Sequence, residues 1–187
     1  MQILGISGSL RRDSHNTKLL RAAAELFGED VEVELWEGLK AVPPYDADDD
    51  TSEAPAAVAD LRAAIAGADG VLFATPEYNA SIPGQLKNAL DWVSRPLAAS
   101  PLRNKPVAVM GASTGAFGAV WSQAELRKVL AAIGARVVDR EVACRNANAC
   151  FDDAGSLTAD VVRAELRELV EELTAAVRAR AETAVAA

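Results

Sequence analysis

Hydrophobic positions along the chain fall into two kinds of run. Three runs are short and unbroken: Gln2-Ile3-Leu4-Gly5-Ile6-Ser7, Gly70-Val71-Leu72-Phe73-Ala74-Thr75 and Pro106-Val107-Ala108-Val109-Met110-Gly111. Continuous apolar stretches of this length predict strands covered on both faces. Val31-Glu32-Val33-Glu34-Leu35-Trp36 alternates instead, which predicts an edge strand with one wet face. Arg136 to Arg140 reads as a fifth, weaker strand. Between these runs the apolar spacing changes to that of a helix. Residues 16–27 align Leu19, Leu20, Ala23, Ala24 and Phe27, and residues 53–67 lead to a stripe of Val58, Leu61, Ala64, Ile65 and Ala68. Further helices are expected at about 84–94, behind Pro83, and at about 118–133, ended by Gly134. A last one begins near Ser156-Leu157-Thr158 and carries Leu157, Val161, Leu166, Leu169, Val170, Leu173 and Val177.

Strands that alternate with helices specify an α/β fold, because only a crossover helix returns the chain to start a parallel strand. Five strands fit a flavodoxin-like three-layer sandwich with a parallel sheet in the order 2-1-3-4-5. The length of 187 residues suits one domain over 1–187, with residues 181–187 expected to fray.

Composition narrows the function. Nineteen basic against twenty-seven acidic residues leave a net charge of −8, which disfavours a nucleic-acid partner. No apolar run is long enough for a membrane span, and the start of the chain has no basic, apolar leader, so a cytoplasmic protein is expected. Cys144 and Cys150 are too few for a disulfide scaffold and form no C-x-x-C pair; they read as inert thiols. His15 is the only histidine. The acidic stretch around Asp46, Asp48, Asp49 and Asp50 lacks the glycine and terminal glutamate of a calcium loop and reads as solvated.

In an open α/β sheet ligands bind beyond the carboxyl ends of the strands, so the turns after strands one, three and four are the place for chemistry. The first turn, Ser7-Gly8-Ser9-Leu10-Arg11-Arg12-Asp13-Ser14-His15-Asn16-Thr17, enters a helix. Free N–H groups and the helix dipole favour an anion there. Ser9, Ser14, Asn16 and Thr17 offer neutral donors, and Arg11 and Arg12 offer charged forks. Residues 1–24 are net +3 in a chain of −8, which favours a phosphate. The plainer reading makes Ser14 or Asn16 a helix cap and leaves the arginines in water. Neither a P-loop lysine nor G-x-G-x-x-G is present, so a monophosphate held by hydroxyls, as in FMN, fits better than a triphosphate or a dinucleotide fingerprint.

The second turn, Thr75-Pro76-Glu77-Tyr78-Asn79-Ala80-Ser81-Ile82-Pro83-Gly84, offers a stiff backbone edge and an apolar face for a flat ring; it reads equally as a tight connector. The third, Gly111-Ala112-Ser113-Thr114-Gly115-Ala116-Phe117-Gly118, contains G-x-S-x-G, the pattern of a hydrolase nucleophile elbow. That motif needs a histidine downstream, and His15 lies far upstream, so a hydrolase fits badly.

Taken together, Gly8-Ser9-Leu10-Arg11 with Ser14-x-Asn16, Thr75-Pro76-Glu77-Tyr78-Asn79 with Ile82-Pro83-Gly84-x-Leu86-Lys87-Asn88-Ala89-Leu90-Asp91-Trp92, and Ser113-x-Gly115-x-x-Gly118 resemble the NADPH-dependent FMN reductase family, which includes flavodoxin-like quinone and chromate reductases. The match runs over about residues 2–140, and Ala119 stands where some relatives have a second glycine. The resemblance implies FMN phosphate at Ser9, Arg11, Ser14, Asn16 and Thr17. It sets the flavin ring against Pro76, Glu77, Tyr78 and Asn79, with Ser113, Thr114 and Gly115 closing the other side. It implies NADPH or NADH as co-substrate and a quinone or similar small-molecule acceptor. No protein acid or base is then obligatory, because the cofactor carries the chemistry. The alternative is a flavodoxin-like electron carrier with no small substrate of its own. The family also forms dimers or tetramers through the helices after strands three and four. Here these carry Leu86, Leu90, Trp92 and Val93, then Trp121, Leu126 and Val129, so a homodimer or homotetramer is expected.

Overall fold

The computed structural model describes residues 1–51 and 53–185. Five strands, β1 (Gln2–Ser7), β2 (Glu32–Trp36), β3 (Gly70–Thr75), β4 (Pro106–Ala112) and β5 (Arg136–Cys144), form one parallel sheet in the order β2-β1-β3-β4-β5. The helices are α1 (His15–Ala24), α2 (Ala56–Gly67), α3 (Gly84–Val93), α4 (Val120–Ile133) and α5 (Asp160–Val185). This is the flavodoxin-like architecture that the alternation of runs implies.

The unbroken runs are buried on both faces because successive side chains point to opposite sides of the sheet. Val71, Phe73, Val107 and Val109 pack with α2, α3 and α4. Leu72, Ala74, Ala108 and Met110 pack with α1 and α5. Strand β2 alternates between covered and exposed positions, as an edge strand should. Strand β5, the other edge, runs on to Cys144, four residues beyond the expected end.

Two details differ from the sequence pattern. Leu157 precedes α5 and pairs with Phe151 in an isolated bridge, while Val161 is 73% exposed and Val162 takes the core position. A helical register fixed at either side of these residues slips by one across the irregular start. Helix α5 continues to Val185, into the stretch expected to fray; residues 186 and 187 lie outside the described residues.

Candidate functional site

The switch in strand order lies between β1 and β3, and a cleft of about 120 Å³ opens beyond it. Its lining is Ser9, Arg11, Ser14, His15, Asn16, Pro76, Glu77, Tyr78, Ala112, Ser113 and Thr114. All three suspected turns therefore meet at one place. Thr17, Asn79 and Gly115, also expected there, stand just outside this lining.

The first turn is fixed by its neighbours. The Gly8 N–H donates to the Ala74 carbonyl at 2.8 Å, and a Cβ on Gly8 would come within 2.9 Å of Leu86 Cδ2, so glycine permits the close approach of turns one and two. Ser14 caps α1, its hydroxyl accepting from the Thr17 N–H at 3.3 Å. The buried Asn16 side chain reaches across the sheet end: its amide donates to the Ala112 carbonyl at 3.0 Å and its oxygen accepts from the Ala112 N–H at 2.9 Å. Asn16 is thus a staple between α1 and β4, which leaves its backbone and the second N–H of its side-chain amide for a ligand. Thr17 donates its hydroxyl proton to Ser7 Oγ at 3.0 Å and lines a separate cavity on the β2 side.

In the second turn, Glu77 accepts from the N–H groups of Trp121 and Ser122 at 3.1 and 3.2 Å. It serves as the missing cap of α4, whose own N-cap residue, Ala119, makes no side-chain hydrogen bond. Thr75 and Ser122 hydroxyls meet at 2.9 Å and both donate toward the Pro76 carbonyl. Tyr78 and Ser81 exchange backbone hydrogen bonds at 3.1 Å around Asn79 and Ala80, whose φ values are 52° and 58°. Such a two-residue turn needs positive φ at both central residues, and alanine there is strained, which fits a loop held in one shape for a ligand. The turn sets Tyr78 at the rim of the cleft, 51% exposed.

In the third turn, the Ser113 N–H donates to the Cys144 carbonyl at 3.0 Å, and Ser113 Oγ accepts from the Gly115 N–H at 3.1 Å. Helix α4 begins only at Val120, so Ser113 does not sit on the strand-to-helix corner that a nucleophile elbow requires. Gly118, at φ +61°, lies so close to β5 that a Cβ would come within 2.7 Å of the Ala143 carbonyl carbon. Burial pushes the Cys144 thiol well above its ordinary range, which leaves it protonated and inert.

Two residues of the cleft lie in the expected turns without an expected role at the site. Ala112 is the last residue of β4, and nothing in its type marks it. His15 Nε2 lies 3.0 Å from Asn148 Oδ1, and its ring stacks on Phe151 at 5.7 Å; its Nδ1 is buried with no partner among the described residues. Its partners lie more than 130 residues away in sequence, beyond any local pattern.

The charge of the N-terminal segment divides. Lys18 pairs with Asp13 at 2.5 Å, and this lysine holds the Asp13 carboxyl below its usual range. Arg12 and Arg21 face the cavity on the β2 side. Arg11 is the one cation lining the cleft, so the net +3 does not all converge on it.

Most of the large apolar residues of α3 and α4 turn inward. Leu86, Leu90, Trp92, Val93 and Leu126 are buried in the chain's own core, and Val129 packs against it. Trp92, assigned above to an interface, donates from Nε1 to the Pro43 carbonyl at 2.9 Å and is 0% exposed. The reason is the segment after β2, which folds over α3 and covers it. Trp121, with Phe117 4.9 Å away, does stay outside; they are 47% and 59% exposed.

What can this cleft hold? Its unfilled donors are the Arg11 guanidinium, the Ser9 hydroxyl and the first N–H groups of α1, a set suited to a phosphate monoester. The stiff edge at Pro76 to Tyr78 adds backbone groups and an aromatic rim, suited to a flat polar ring. The donor set fits FMN. The model of the NADPH-dependent FMN reductase family matches residues 1–149, the span that contains all three turns. This chain belongs to the NADPH-dependent FMN reductase family. It is an NAD(P)H-dependent flavin oxidoreductase rather than an electron carrier alone. Among its relatives is an NAD(P)H-dependent FMN reductase of Pseudomonas aeruginosa, 39% identical over 179 residues, covering 95% of this chain and 96% of that one. A 2-hydroxy-1,4-benzoquinone reductase of a Burkholderia species is 37% identical, with 96% and 98% covered. Among solved structures, FerB of Paracoccus denitrificans, a flavoenzyme NAD(P)H:(acceptor) oxidoreductase, superposes with a TM-score of 0.83 at 31% identity over 96% of this chain and 98% of that one. No described helix of this FMN reductase family member is long and apolar enough to cross a membrane.

Proposed function

We propose that this reductase holds FMN with its phosphate at Ser9, Arg11 and the start of α1 and its ring along Pro76 to Tyr78, and that its acceptor is a small quinone. The observation that carries the reading is the meeting of the three turns in one cleft beside the strand-order switch. When bound, FMN supplies two-electron transfer between a nicotinamide and the acceptor. The chain supplies position. Glu77 and His15 are the ordinary acid–base groups on the lining, and both are already engaged, Glu77 with the α4 N-terminus and His15 with Asn148. Glu77 is held by α4, while His15 keeps one ring nitrogen, Nδ1, without a partner among the described residues; chemistry borne by a cofactor requires neither. The acceptor class draws support from the quinone-reducing relatives.

The cleft is smaller than the ~300–1,000 Å³ that usually encloses a ligand of cofactor size. A ring held along Pro76 to Tyr78 would leave one face open for a nicotinamide and a quinone in turn. Tyr78, Phe117 and Trp121 are exposed beside it, and a second copy of the chain covering them would complete its wall in a homodimer or homotetramer. Two free cysteines and the absence of a disulfide among the described residues support a cytoplasmic, reducing setting.

The test is the visible spectrum of the purified protein followed by steady-state NADPH oxidation. The reading expects a bound flavin spectrum and oxidation that accelerates with 1,4-benzoquinone. A flavin that NADPH bleaches but no quinone reoxidises faster than air would refute the acceptor assignment.

A further inference from the structure

Beyond the turn of Ser9 to Arg12, on the side away from the cleft, lies a second cavity of about 330 Å³ at the carboxyl ends of β1 and β2. Its rim carries four cations, Arg11, Arg12, Arg21 and Lys40, opposed by one acid, Glu37. None of the four is in an ion pair among the described residues; the one pair in this part of α1 is Lys18 with Asp13. In a chain of net charge −8 such a cluster of free cations is not expected from composition. Its walls are apolar, with Leu20, Leu35, Trp36 and Leu39.

The far wall is held in place by α3. Gln85 Nε2 donates to the carbonyls of Leu39 and Val42, each at 2.8 Å, and Asn88 and Trp92 donate to Pro43 at 2.7 and 2.9 Å. Trp36 is anchored by its Nε1 donating to Asp60 at 2.7 Å. A cationic rim over a fixed apolar wall suits a phosphorylated nucleoside better than a bare anion, which needs no apolar wall. Ser9 and Arg11 line both this cavity and the cleft, so a ligand lying here adjoins the bound flavin.

We propose that this cavity receives the 2′-phosphoadenosine end of NADPH, with Arg12, Arg21 and Lys40 recognising the 2′-phosphate and thereby selecting NADPH over NADH. The proposal rests on the reading above that the cleft holds FMN. A phosphate dianion shared by three exposed cations gains affinity mainly through charge, so its binding should weaken with salt.

Calorimetric titration of the FMN-loaded protein with 2′,5′-ADP and with 5′-AMP tests it without any turnover. The 2′,5′-ADP should bind about tenfold tighter or more, the value of one charge-assisted contact. Arg21→Ala and Lys40→Ala, both at exposed and unpaired positions, should each erase most of that preference and lower the NADPH to NADH ratio of kcat/KM about tenfold. Equal binding of the two nucleotides would overturn the proposal, and so would a preference untouched by both substitutions. Inorganic phosphate competing as well as 2′,5′-ADP would also overturn it, since the cations would then take a bare phosphate. If NADPH oxidation with a quinone fails while 2′,5′-ADP still binds at these residues, the acceptor reading falls and the cavity assignment stands.

Discussion

The cleft and the cavity beside it are built on opposite plans. In the cleft, the polar side chains that read as ligand contacts are mostly engaged with the protein: Asn16 with Ala112, Glu77 with the start of α4, Ser113 with Gly115. What remains for a ligand is backbone N–H, the hydroxyls of Ser9 and Thr114 and one guanidinium. Such a site is preorganised, because its geometry is set before anything binds. On the cavity rim four exposed, unpaired cations face one acid, Glu37, and the rigid part is the apolar wall behind them. The first plan fixes orientation of a resident group; the second gives charge selectivity for one that must come and go. Changes in the cleft should therefore cost stability along with binding, and changes on the cavity rim should cost binding alone.

That contrast can be broken at several points. Trp92→Ala should have the largest effect, because Trp92 is both core and the anchor of the cavity wall. A loss of about 3–5 kcal/mol in urea denaturation is expected. Asn16→Ala comes next. It strands a buried N–H and a buried carbonyl of Ala112, at about 1–3 kcal/mol each, and should loosen FMN at the same time. An Asn16→Ala protein of normal stability that merely bound FMN less well would show that Asn16 is a ligand contact and not a staple. Glu77→Gln keeps an accepting oxygen but loses the charge facing the α4 N-terminus, for which about 0.3–1 kcal/mol is expected from thermal melts. Arg12→Ala, on the cavity rim, should leave stability within about 0.5 kcal/mol. A larger loss would mean that the rim, too, supports the fold.

The sheet was legible because its strands keep two separable signatures: unbroken apolar runs for β1, β3 and β4, and alternation for the edge strand β2. The three turns were legible because ligand sites in such folds follow from topology. The partners of each site residue were less so. Asn16 and Ala112 are 96 residues apart, and the type of neither says that they meet. Trp92 departs from its expected place at an interface for a related reason. Helix periodicity gives an apolar face but not what covers it, and here the cover is the segment ending at Pro43 and Tyr45, whose sequence looks like an open loop. Gln85, Asn88 and Trp92 recur at one-turn spacing on α3 and together grip that segment. That part of the motif carries architecture rather than cofactor contact. In sequence the cationic segment reads as one phosphate site, because sequence shows net charge and not direction. The fold sends Arg11 toward the cleft and turns Arg12 and Arg21 away from it.

A cleft that binds FMN by its phosphate at the first turn must tell FMN from riboflavin through Arg11. The most direct measurement compares the affinities of FMN and riboflavin for the apoprotein before and after Arg11→Ala, by quenching of flavin fluorescence. Riboflavin lacks the phosphate, so FMN should weaken by about tenfold or more, the loss of one charge-assisted hydrogen bond, while riboflavin is nearly unaffected. Equal weakening of both flavins, or of neither, would contradict it.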